Sequence, residues 1–183
     1  MVTVVDVDAG PRTVARRVEV AAPAAEVFAI LANPRQHHEL DGSGSIRDDV
    51  PVLGPERLSV GDTFTVALQQ SGIPYQATST VTSFEDGRVI EWADSYGRKW
   101  RWELTETPAG TTEVTVSMDD SCAVTPLFDQ LFGDDDRYAS AITKTLRKLA
   151  HRFALDNDAI FPPRTLSPLC HARWHSPNLK AAG

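Results

Sequence analysis

"RVIEWADSYGRKWRWELTETPAGTTEVTVSMD" (88–119) holds three short segments rich in β-branched and aromatic residues. Ser95-Tyr96-Gly97 and Pro108-Ala109-Gly110 separate them. Such runs, bounded by turn residues, predict strands joined by tight turns. In 98–106, Trp100, Trp102 and Leu104 fall on one face, and Lys99, Arg101 and Glu103 on the other. In 111–119, Val114, Val116 and Met118 align. Alternation of this kind marks an antiparallel meander with one buried face. Upstream, 61–70 alternates likewise, with Phe64, Val66 and Leu68 together, and 75–84 is β-branched and small. Glu85-Asp86-Gly87 reads as the turn into 88–94.

Both flanks change period. On the N-terminal side, 13–20 predicts a strand in which Val14, Val18 and Val20 share a face with Arg16, a possible buried cation. Residues 22–33 predict a helix with Pro23 in its first turn and a stripe of Val27, Phe28, Ile30 and Leu31. Asn33-Pro34 stops it, and a second short helix follows at about 34–39. On the C-terminal side, from Thr125 to about Phe153, apolar residues recur at steps of three and four through Tyr138, Ile142, Leu146, Leu149 and Phe153, which predicts a long amphipathic helix. Gly133 and Asp134-Asp135-Asp136 either kink it or divide it. The expected organisation is a flexible leader (1–12), one domain (13–153) and a Pro-rich tail (154–183), disordered or strapped on the surface.

Composition narrows the classes of function. Of 183 residues, 42% are hydrophobic and 23% charged, enough apolar material for one core. The net charge of −7, without a long basic run, argues against a nucleic-acid partner. No apolar stretch approaches the length of a membrane span. The N-terminus lacks the basic region of a signal peptide. Two distant cysteines, Cys122 and Cys170, form no disulfide framework. A cytoplasmic monomer or homodimer is expected.

A helix of this kind must bury its stripe, and the apolar surface available is the concave side of the sheet. The expected class is α+β with a helix-grip fold. The stretches "VEVAAPAAEVFAILANPRQHHELDGSGSI", "VIEW" with "WRWEL", "GTTEVTVSMD", and "PLFDQLF" with "AITKTLRKLAHRF" resemble the SRPBCC superfamily (START and birch-pollen-allergen-like). More narrowly, they resemble its bacterial polyketide cyclase/dehydrase and lipid-transport group. The resemblance covers roughly 13–153. It implies a cavity between sheet and long helix for a lipid, polyketide or aromatic metabolite, with no cofactor and no shared catalytic set.

Candidate residues follow from these patterns. His38, Phe64, Val66, Leu68, Trp92, Trp100, Trp102, Val116, Met118, Phe132 and Tyr138 are expected to line the cavity; plain core packing is the alternative for the aromatics and Met118. If the protein is instead a cyclase or dehydratase, His38, Tyr75, Asp94 and Tyr138 are the candidate acids and bases. A third alternative is an interaction module working through the tail. "HHELDGSGSIR" (37–47) is expected to gate the mouth, with freedom from Gly42 and Gly44 and with His38 reaching the ligand. A metal reading of His37, His38, Glu39 and Asp41 lacks a ligand motif, and Asp41-Gly42 is a helix stop. Cys170, His171 and His175 lack a second ligand pair. No metal is expected. Alternation sends Lys99 and Arg101 to an outer face, and Arg98 is grouped with them.

Overall fold

The computed structural model describes residues 2–122 and 135–160. Phe132, Cys170, His171, His175 and residues 161–183 of the expected tail lie outside the described residues.

Seven antiparallel strands form one open sheet: β1 (Val4–Val7), β2 (Thr13–Val20), β3 (Thr63–Gln70), β4 (Ile73–Glu85), β5 (Val89–Asp94), β6 (Lys99–Glu106) and β7 (Thr112–Asp119). Their spatial order is β1-β2-β7-β6-β5-β4-β3. β3 to β7 are the expected meander. β2 pairs with the last strand, so the chain between β2 and β3 crosses from one side of the sheet to the other. That crossing carries α1 (Ala24–Leu31), a 3-10 turn (Pro34–Gln36) and α2 (His37–Leu40). The helix α3 (Asp135–Ile160) lies across the concave face, against β1, β2 and β7. This is the helix-grip arrangement.

The elements form for local reasons. Pro23 stands before α1 with extended backbone, and Val27, Phe28, Ile30 and Leu31 are buried. The Asn33 side chain accepts the Arg35 N–H and starts the next turn. Ser71 and Gly72 join β3 to β4 with φ of 49° and 82°, as a two-residue hairpin turn of type I′ requires. The α3 stripe buries Ile142, Leu146, Leu149 and Phe153 against Val18, Val20, Val114 and Leu31 in a single core cluster.

Three expectations need correction. The segment read as a flexible leader contains β1, paired in register with β2 from Val4↔Val18 to Val7↔Ala15. Its signal is short, because a four-residue edge strand with Val5 and Asp6 exposed buries little. Arg16 faces Asp6 across that pair and bonds it at 2.8 Å, so it is a paired cation beside the sheet edge rather than a cavity cation. In addition, α3 continues to Ile160, past the expected domain end at 153.

Candidate functional site

Between the concave face and α3 lies a half-open cavity of about 230 Å³. Strand parity builds its walls. Phe64, Val66 and Leu68 of β3, Trp92 and Asp94 of β5, Arg98, Trp100 and Trp102 before and within β6, and Val116 of β7 all point into it. Tyr138, Ile142 and Thr145 of α3 form the roof, and Asp41, Ser43, Ser45 and Ile46 line it from the loop after α2.

One end is aromatic. His37 stacks on Trp92, with centroids 5.2 Å apart and planes 21° from parallel. Phe64 meets both rings edge-on, at 5.7 Å from His37 and 5.6 Å from Trp92. His37 Nε2 lies 2.9 Å from the Leu31 carbonyl oxygen. A carbonyl can only accept, so Nε2 carries the proton, and Nδ1 of the neutral ring keeps its lone pair. Burial holds the His37 pKa below its ordinary 6.5; the Leu31 carbonyl opposes the shift, and the positive potential of His38 adds to it.

The other end is polar. Arg98 donates from Nε to Asp94 Oδ2 at 3.0 Å and from Nη1 to the Tyr138 hydroxyl oxygen at 2.6 Å. Asp94 Oδ1 also accepts the backbone N–H groups of Tyr96 and Arg98. The carboxylate therefore organises the β5–β6 turn while neutralising the guanidinium. Tyr75 stands at this end half-buried; desolvation raises its pKa against the pull of Arg98, which keeps the phenol protonated. On the cavity floor the Trp102 indole N–H is buried with no partner among the described residues, and the residue is only 6% exposed.

The loop after α2 is fastened to the helix. The Asp41 carboxylate accepts from Ser43 and from the Ile46 N–H. The Gly42 N–H donates to Thr145 Oγ1 at 2.8 Å, and Lys148 donates to the Asp41 carbonyl. Glu39 pairs with Arg152. Gly42 is pressed against the α3 backbone so closely that a Cβ would overlap Thr145 N. Its smallness, rather than its freedom, is what the position uses.

Of the expected lining residues, Phe64, Val66, Leu68, Trp92, Trp100, Trp102, Val116 and Tyr138 line the cavity, as do Tyr75 and Asp94. His38 does not: its Nδ1 lies 2.8 Å from the Arg35 carbonyl oxygen, outside the cavity, and its neighbour His37 takes the place expected of it. Met118 is core, 1% exposed and absent from the walls. Arg98, grouped with the outer cations, faces inward. The missed signals were present: Arg98 shares parity with Trp100 and Trp102, and His37 shares a face with buried Leu40 three residues on. Lys99 and Arg101 do lie opposite the cavity, where Arg101 pairs with Glu91 and Glu103. The four residues of the metal reading diverge to separate partners, and among the described residues no group of three or more His, Cys, Asp or Glu could hold a metal ion.

The family model described as polyketide cyclase/dehydrase and lipid transport matches residues 11–154, and the chain belongs to that family, within the SRPBCC superfamily. Such membership supports a hydrophobic-ligand-binding or cyclase role. The uncharacterized protein Rv0088 of Mycobacterium tuberculosis is 42% identical over 158 residues, covering 84% of this chain and 70% of that protein. Among solved structures, Ms6760 from Mycobacterium smegmatis superposes with a TM-score of 0.61 at 17% identity, covering 85% of this chain and 99% of that one. The di-domain aromatase/cyclase StfQ of the steffimycin biosynthetic pathway gives 0.59 at 14% identity, covering 81% of this chain and 52% of that one. The major latex-like protein 151 of Panax ginseng gives 0.56 at 13%, covering 77% and 96%. These structural likenesses establish the helix-grip fold. No helix of the described residues is long and apolar enough to cross a membrane.

Proposed function

We propose that this protein binds a small hydrophobic molecule in the cavity between the sheet and α3. The observation that carries the reading is the wall itself: three tryptophans and an apolar strand face around about 230 Å³ of half-open space. Apolar ligand surface buried there contributes roughly 25 cal/mol per Å². The Arg98–Asp94–Tyr138 cluster orients whatever polar group the ligand carries. A cyclase or dehydratase reading draws support from one feature, the neutral His37 ring on the cavity wall. Asp94 suits that reading less, because its carboxylate already accepts from Arg98 Nε and two backbone N–H groups.

Native mass spectrometry of the purified chain, with extraction of any bound molecule, tests the binding reading. The expected result is a co-purifying apolar compound, or uptake of 1-anilinonaphthalene-8-sulfonate, that Trp100→Ala diminishes. An apo mass with no uptake of the probe would overturn it.

A further inference from the structure

The cavity is asymmetric in its hydrogen bonding. At the aromatic end the unmatched group is an acceptor: the Nε2 proton of His37 is committed to Leu31, and Nδ1 has no partner among the described residues. At the polar end the unmatched groups are donors. The Tyr138 oxygen accepts from Arg98, which leaves its own proton to donate. Arg98 uses Nε and Nη1 on Asp94 and Tyr138, and its Nη2 has no partner among the described residues. A neutral histidine with one nitrogen satisfied can be a plain packing residue. That reading leaves unexplained why an unpartnered acceptor edge lines the same cavity as the leftover donors of Tyr138 and Arg98.

The two ends meet neighbouring inward positions of one strand. Trp92, on which His37 stacks, and Asp94, which holds Arg98, lie two residues apart on one face of β5. The volume also sets a limit: about 230 Å³ compares with the ~150 Å³ cavity that accommodates benzene. One or two fused rings fit that space, and the indole and imidazole faces favour a flat molecule.

We infer that the ligand is a compact one- or two-ring aromatic that donates a hydroxyl hydrogen bond to His37 Nδ1 and, at its other end, presents a carbonyl-type acceptor to Tyr138 and Arg98. This rests on the binding reading above and narrows it to a polarity and a direction. His37 is then the residue that determines specificity at one end and Tyr138 at the other.

Three probes separate the claims: 6-hydroxy-2-acetylnaphthalene, its 6-methoxy ether, and 2-acetylnaphthalene, each titrated calorimetrically into the full chain. The hydroxy compound is expected to bind about five- to tenfold tighter than either of the others, the worth of one hydrogen bond. In His37→Phe, which keeps a flat ring, the three affinities converge. In Tyr138→Phe all three weaken together and the hydroxyl preference stays. A hydroxyl preference near one in the wild-type chain, or one that survives His37→Phe, overturns the inference while naphthalene binding upholds the binding reading. Uptake of 1-anilinonaphthalene-8-sulfonate without any of the three probes does the same. Failure of all four overturns both. If His37→Phe shows no cooperative melt by circular dichroism, the wild-type preference alone decides, since a value near one overturns the assignment.

Discussion

The two ends of the cavity are held in different ways. At the aromatic end, His37, Trp92 and Phe64 pack ring against ring, with one hydrogen bond tying the imidazole to Leu31. At the polar end, Asp94, Arg98 and Tyr138 form a connected network around a turn, with the Arg98 and Asp94 side chains only 15% and 9% exposed. Packing contributes many small, interchangeable contacts. A buried ion pair is different, because removing one partner strands the other. The polar end should therefore be brittle and the aromatic end tolerant, although both serve one cavity.

The largest effect is expected from Asp94→Ala. It strips the counter-charge from Arg98 and the acceptor from two backbone N–H groups of the turn. A loss of about 3 kcal/mol, or roughly 6–12 °C in the thermal midpoint, is the expected outcome by calorimetry. Gly42→Ala comes next, since its Cβ would overlap the α3 backbone. About 2 kcal/mol should be lost in denaturant titration, and amide exchange over 41–46 should speed up as the loop lifts. At the aromatic end, Trp92→Leu keeps an apolar side chain but loses the stacked and edge contacts. Its expected cost is about 1 kcal/mol, and a cost equal to that of Asp94→Ala would erase the contrast between the ends.

His37 sharpens the comparison through pH. Its pKa is held below 6.5 in the folded chain by burial. The unfolded chain therefore takes up the proton more readily. The contribution is fully present above about pH 6.5 and is lost as pH falls toward the lowered folded value. Chemical denaturation across this window should show stability declining with acidity, and His37→Phe should remove that component. The smallest effect is expected from Arg101→Ala on the opposite face. Its partner Glu103 is exposed, and the partly buried Glu91 keeps a second bond from the Thr82 hydroxyl, so the change should stay under about 1 kcal/mol in the same assay.

How far the site was legible in the sequence follows from the range of each signal. Strand parity acts between neighbours, so Phe64, Val66, Trp100, Trp102 and Val116 could be assigned to one face before any fold was known. The same rule already contained Arg98, two positions before Trp100, but its charge drew the reading outward. Met118 obeyed the parity and still missed the cavity, because parity chooses a face of the sheet and not a position along it. Choosing His38 over His37 was an error of rotation on a helix four residues long. The buried Leu40, three residues after His37, was the clue. β1 escaped notice because a short edge strand buries too little to leave a pattern.

By itself, the sequence determined the class of fold: alternation, turn residues and the later switch to a helical period are local properties, dictated by which side chains can be buried together. Only the tertiary structure decided which residues share the cavity and what each offers it. The neutral tautomer of His37 depends on a carbonyl six residues away being turned toward it. The Arg98–Tyr138 bond joins residues 40 apart. The fastening of Gly42 to Thr145 spans 103. Contacts at such separations leave no period in the chain, because they exist only once the sheet has curved and the helix has seated on it.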